Sequence, residues 1–96
     1  MIVSFVDALT ADLFHGRPTA RTRRVPANVV TVVLRKLDVL NAAARLDDLR
    51  VPPGNRLEAL KGDRHGLHSI RVNDQWRIIF RWTEGGVQEV RFTDYH

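Results

Sequence analysis

LEALKGDRHGLHSIRVNDQWRIIFRW, residues Leu57–Trp82, decides how the rest of the chain is arranged. Its second half reads as a hairpin in which apolar residues alternate with arginines. His68, Ile70 and Val72 form one alternating set, and Trp76, Ile78, Phe80 and Trp82 another. Arg71, Arg77 and Arg81 take the opposite face, because successive side chains on a strand point to opposite sides. One face can therefore rest on a core while the other displays cations. For Ile70 and Val72 to share a face with Trp76 and Ile78, the loop must hold an odd number of residues. Asn73-Asp74-Gln75 satisfies this, with a left-handed residue expected at Asn73 or Asp74. Upstream, Arg56 to Leu60 reads as a further strand, followed by a polar Lys61-Gly62-Asp63-Arg64 turn. Downstream, Thr83-Glu84-Gly85-Gly86 makes the next turn and Val87 to Thr93 a last strand, with Val90 and Phe92 on one face.

The N-terminal half supplies what covers this sheet. Ile2 to Val6 is short, apolar and β-branched, and reads as a first strand. Asp7 can cap the helix that follows, in which Leu9, Leu13 and Phe14 recur at helical spacing until Gly16 and Pro18 end it. The segment RPTARTRR, residues 17–24, carries Arg17, Arg21, Arg23 and Arg24 with no acid among them. It is either a solvated connector or a contact for nucleic acid or a partner. Pro26 suits the first turn of a longer helix, whose apolar stripe runs through Val29, Val30, Val33, Leu37, Leu40 and Ala44. Two prolines and a glycine make residues 47–55 a loop. The expected order is β-α-α-β-β-β, with two N-terminal helices packed on one face of a small twisted antiparallel sheet, an α+β fold.

With 96 residues and 44% hydrophobic content, the expectation is one domain over 1–96. Cysteine is absent, which excludes disulfides, thiolate metal sites and cysteine nucleophiles. The formal charge is +4, and all but Lys36 and Lys61 of the 15 basic residues are arginine. Arginine's planar fork suits phosphate oxygens, so an anionic partner is favoured. The opening residues, with Asp7 and Asp12, lack the basic leader of a signal peptide, and no apolar run approaches the roughly 20 residues of a membrane span. A soluble, cytoplasmic protein with no membrane association is expected.

His65 and His68 lack a clear third ligand, so no metal site is expected, and no cofactor loop is present, since Lys61-Gly62 lacks the glycine spacing of a P-loop. What remains is metal-free work on a phosphodiester. Cleaving RNA in this way needs a base for the ribose 2′-hydroxyl, an acid for the leaving oxygen and cations where phosphorane charge develops. Lys61 and Arg77 are the natural charge stabilisers, with Arg64, Arg71 and Arg81 as auxiliary phosphate binders. Glu58, Asp94, Tyr95 and His96 are the available proton carriers. The competing reading makes the arginines solvent-facing sheet residues, Glu58 and Lys61 a surface ion pair of small worth, and residues 94–96 a frayed end.

The run LEALKGDRHGLHSIRVNDQWRIIF, together with the terminal Asp94-Tyr95-His96, resembles the HigB-type toxins of the RelE superfamily, the toxin half of bacterial type II toxin–antitoxin pairs. The combination of LKGDR, N-x-x-W-R-I and DYH carries the likeness, which extends over nearly the whole chain. The resemblance implies the RelE-like microbial RNase fold and a metal-independent, ribosome-dependent endoribonuclease that cuts mRNA in the A site of the 70S ribosome. It implies a partner too: a HigA-type antitoxin with a helix-turn-helix domain, through which alone the complex would reach operator DNA. Lys61 and Arg77 match the family's phosphate-holding cations, and Asp94, Tyr95 and His96 its C-terminal catalytic cluster. The family pattern has a histidine in the strand before LKG, where this chain has Glu58. Either Glu58 acts as the base, from an ordinary pKa of about 4.3 against histidine's 6.5, or His96 supplies the main proton transfer. A binding module of the same fold, without strong activity, is the alternative reading.

Overall fold

The structure, a computed structural model, describes residues 1–94. Helix α1 spans Ala8–His15, α2 Ala20–Arg23 and α3 Ala27–Ala42. Strands β1 (Glu58–Ala59), β2 (His68–Arg71), β3 (Trp76–Thr83) and β4 (Gly86–Asp94) form one antiparallel sheet in sequence order. The α+β arrangement expected from the chain is the one found. Helix α1 starts where the Asp7 side chain accepts the Thr10 N–H at 2.9 Å, and it stops at Gly16, which is left-handed (φ 68°). The α3 stripe buries Val29, Val33, Leu37 and Leu40 against Ile70, Ile78, Phe80, Val90 and Phe92. This apolar contact holds a valine-rich helix that intrinsic propensity would not.

Several local expectations are corrected. Ile2 to Val6 is not a strand. It lies along β4 through two isolated parallel bridges, Ile2 to Val87 and Phe5 to Val90. The ladder breaks because β4 carries a bulge at Glu89, whose backbone is left-handed (φ 55°) and whose N–H donates to Ser4 Oγ instead of a carbonyl. The bulge also buries Val87 beside Val90, which plain alternation would put on opposite faces. Strand β1 is two residues and not five, since Arg56 is left-handed (φ 46°). In the β2–β3 loop none of Asn73, Asp74 or Gln75 is left-handed. The odd loop length holds, with Val72 N bonded to Trp76 O, and the turn is closed by Asn73 Oδ1, which accepts from Gln75 N and Trp76 N. Ala44 leaves the α3 stripe, because the helix ends at Ala42 and Asp48 takes the Ala44 and Arg45 amides. The RPTARTRR connector is not open chain but the single turn α2, capped by Thr19.

The outer edge of β4 is satisfied from Val87 to Phe92. Met1 O, Ser4 O and Ser4 Oγ take the amides of Val87, Val90 and Glu89, and Thr10 Oγ1 takes that of Phe92. The N-terminal segment thus covers an edge that would otherwise present unpaired amides.

Candidate functional site

The face of the sheet turned away from α3 carries the candidate residues in two rows. Glu58, Ser69, Ile79 and Arg91 are register neighbours across β1, β2, β3 and β4. One step along, Arg71, Arg77 and Thr93 form the next row. This face is not uniformly wet: Ser69 and Ile79 are buried within it. Arg77 Nη1 donates to Ser69 Oγ at 3.4 Å, which turns its guanidinium toward the row that Glu58 begins.

Beyond β1 the chain turns sharply at Gly62 (φ 66°), and Lys61 stands at the start of a 3-10 turn over Gly62–Arg64. Glu58, Lys61 and Arg64 thereby line one surface pocket of about 470 Å³, with Ala59 and Leu60 between them. A carboxylate and two cations facing a shared space is what a phosphodiester with an adjacent hydroxyl requires. Arg64, an auxiliary on the sequence reading, therefore shares a pocket with Glu58 and Lys61.

The other two auxiliaries are differently placed. Arg71 is ion-paired with Asp74 across the β2–β3 turn, and Arg81 with Glu89 of the bulge. Arg81 is also pinned against Gly66, where a Cβ would meet its Nη1 at 2.7 Å. Their charges are partly spent within the fold. Asp94 pairs with Trp76, one step past the Arg77–Thr93 pair, so alternation gives it the helix-facing side of the sheet. Its carboxylate accepts from Gln75 Nε2 at 3.2 Å. Tyr95 and His96 lie outside the described residues.

Sequence reasoning passed over Arg91 and Glu89. They line a second pocket of about 210 Å³ with Val6, Arg64, Leu67 and Ile79. Arg91 was within reach, since alternation from Val90 and Phe92 puts it on the cationic face. The position of Glu89 depends on the bulge and had no signal. The arginine-rich segment, for its part, is not without an acid. Arg17 and Arg21 both reach Asp12, at 3.6 and 3.1 Å, and Thr19 donates to the same carboxylate. Burial pushes the Asp12 carboxyl up. The hydrogen bonds from Thr19 and Arg21, with the charges of Arg21 and Arg17, outweigh it and hold the group below its ordinary value.

His68 faces the core, stacked on Phe80, with its ring centroid 6.1 Å away. Desolvation, aided by the charge of Arg50, lowers its pKa from the usual 6.5, so it is a neutral packing residue at pH 7. Among the described residues, no three His, Asp or Glu side chains converge as a metal-ligand set.

Comparison with known proteins gives this face a context. Residues 3–96 match the family described as the RelE-like toxin of type II toxin–antitoxin system HigB. The chain is similar to the "Toxin HigB-1" of Vibrio cholerae serotype O1, 49% identical over 65 residues, covering 68% of each protein. It is 35% identical over 75 residues to the "Endoribonuclease HigB" of Proteus vulgaris, covering 78% of this chain and 80% of that one. Among solved structures, a "YoeB/ParE toxin from Agrobacterium tumefaciens" superposes over 99% of this chain and 97% of its own, with a TM-score of 0.52 at 21% identity. That last likeness concerns the fold alone.

Proposed function

The chain belongs to the RelE-like HigB toxins of type II toxin–antitoxin systems, and from that premise we propose that it is a metal-independent endoribonuclease that cuts mRNA on the ribosome and so stops translation. The observation that carries the proposal is the joint placement of Glu58, Lys61 and Arg64 around one pocket, with Arg77 directed toward the same row of the sheet. Lys61 and Arg77 hold the scissile phosphate and take up the negative charge that grows on it. Arg64 supports them, with Arg71 and Arg81 as more distant contributors. Glu58 or His96 accepts the 2′-hydroxyl proton, and the other protonates the departing 5′-oxygen. Tyr95 stacks on or orients a base, and Asp94 orients His96.

The proposal includes the partners that such an activity needs: the 70S ribosome and mRNA as substrate, and a helix-turn-helix antitoxin of the HigA type, through which the pair reaches operator DNA. A ribosomal substrate places the protein in the cytoplasm. Consistently, no helix among the described residues is long and apolar enough to cross a membrane.

Purified ribosomes programmed with a defined mRNA provide the test. Removing one preorganised cation at a developing charge costs roughly a hundredfold or more in rate. Arg77→Ala and Lys61→Ala should each lose that much cleavage while melting within a few degrees of the parent. If the folded double variant still cuts at the parental rate, these residues are not the site. If the parent binds ribosomes in a salt-dependent way without cutting, the chain is a binding module and not a nuclease.

A further inference from the structure

We infer that the pocket lined by Val6, Arg64, Leu67, Ile79, Glu89 and Arg91 is a nucleobase subsite that takes the base next to the phosphate held by Arg77, with guanine the best occupant. The assignment rests on the reading of this face as an RNA surface. Three features of the pocket carry it.

The first is its shape and floor. Buried Ile79 forms the base of the pocket, with Leu67 and Val6 beside it. At about 210 Å³ the space is smaller than a drug-sized site of some 300 Å³ or more, and suits a single flat ring system. The flat face of a base would lie on these aliphatic groups. Either flanking guanidinium, Arg64 or Arg91, can stack on its other face or reach its phosphate.

The second is continuity. Arg64 lines both this pocket and the one that holds Glu58 and Lys61, so the two are neighbours on either side of its side chain. Ile79 lies two residues along β3 from Arg77, roughly 7 Å. A strand of RNA gripped at Arg77 therefore has its neighbouring nucleotide over Ile79. Arg91 Nε lies 3.9 Å from Asp7 Oδ2, within ion-pair range but beyond hydrogen-bond distance, so the pair leaves its N–H donors for a ligand.

The third is Glu89. A carboxylate is an odd residue for a surface that binds a polyanion unless it reads a base edge. Glu89 is held in position, with its N–H on Ser4 Oγ and its carboxylate on Arg81 Nε, and its backbone takes a left-handed conformation that a glycine would adopt more easily. An ionised carboxylate has about four acceptor positions, so the bond from Arg81 leaves capacity for a ligand. Guanine offers adjacent N1–H and N2–H donors that match the two oxygens. Adenine and cytosine offer one amino group beside an acceptor. Uracil sets its single N–H between two carbonyls that the carboxylate repels.

The experiment is an amide-resolved NMR titration of the full chain with GMP, AMP, CMP and UMP. The expected result is that the amides of Leu67, Ile79, Glu89 and Arg91 move most, with GMP about fivefold or more tighter than UMP, as one additional hydrogen bond to a charged group allows. Arg91→Ala should weaken all four alike, and Glu89→Gln should remove the ranking while leaving binding. Shifts confined to other residues, or equal affinities for the four nucleotides, overturn the subsite. So does a ranking that survives in folded Glu89→Gln. If Glu89→Gln does not fold, the parental ranking and Arg91→Ala decide. The ribosome assay separates this from the parent reading. Ranked nucleotide binding without cleavage leaves the subsite standing and removes the nuclease, whereas cleavage with no response at these amides does the reverse.

Discussion

Thr10→Val tests whether the N-terminal half holds β4, the strand that brings Arg91 to the site. Thr10 is fully buried, and its hydroxyl works in both directions. It donates to Asp7 Oδ1 at 2.7 Å and accepts the Phe92 amide at 2.9 Å. Valine has nearly the same shape, so packing is preserved and only the hydroxyl is lost. Asp7 keeps the Thr10 N–H, whereas the Phe92 amide is left buried with no acceptor. An orphaned buried donor costs about 1–3 kcal/mol. The added methyl returns up to about 0.8 kcal/mol. The net loss is therefore roughly 1–2 kcal/mol, against the 5–15 kcal/mol typical of a whole domain. For a chain of this size the melting temperature should fall by about 5–15 °C. Thr10→Ser keeps the hydroxyl and loses only a methyl, so it should be the milder change, the reverse of what hydrophobicity predicts. Urea unfolding followed by circular dichroism gives the ranking, with an unchanged m-value showing that the denatured state is unaffected. Hydrogen exchange at Phe92 should accelerate in the valine variant only. A valine variant as stable as the parent, or more stable than the serine variant, refutes the reasoning.

Asn55 is fully buried, donates from Nδ2 to Leu49 O at 3.1 Å and Val51 O at 3.3 Å, and accepts from Lys36 Nζ. Asn55→Leu leaves these groups unpaired and should cost at least about 2 kcal/mol, measured as a lower urea midpoint. Stability should also fall in two steps on acidification. His68 has a lowered pKa in the folded state, so below its ordinary 6.5 the unfolded chain gains a proton that the native state refuses. Stability is full above pH 6.5 and is lost as pH drops from there toward the folded value. Asp12, also lowered, contributes stability that is complete above its ordinary 3.8 and is lost below it. His68→Gln should flatten the first step and Asp12→Asn the second in a series of melting curves; a pH profile unchanged by either variant contradicts the assignments.

The elements that could be read from the chain are those whose signal is local. The period-two alternation of β2 and β3 needs only the residues of the hairpin, and it yields the observed register of Ile70 against Ile78. The Asp7 cap and the Gly16 stop of α1 are likewise contained within one turn each. What failed depends on distant partners. Glu89 becomes left-handed because Ser4 and Arg81 hold it there, 85 and 8 residues away in sequence. That single bulge breaks the opening strand into two bridges and turns Val87 inward. The β2–β3 turn shows a milder case: an Asn73 side chain replaced the left-handed residue, two devices that residue type alone does not distinguish.

For the site, alternation alone selects side chains by direction and says nothing about their partners. It put Arg71, Arg77 and Arg81 on one face, and treated them as equivalent. The fold separates them, since Arg71 answers to Asp74 and Arg81 to Glu89. The weight of the cationic surface moves accordingly, away from the ends of the hairpin and toward Lys61, Arg64, Arg77 and Arg91. Lys61 and Arg64 come from a turn after β1, and Arg91 from the strand that the N-terminal segment holds in place. A site built in this way is sensitive to the N-terminal half, although Val6 is the side chain that half contributes to the lining. Loosening β4 at Thr10 should displace Arg91 before it disturbs Lys61. Binding of all four nucleotides in the Glu89 pocket should therefore weaken in Thr10→Val at temperatures where cleavage still proceeds.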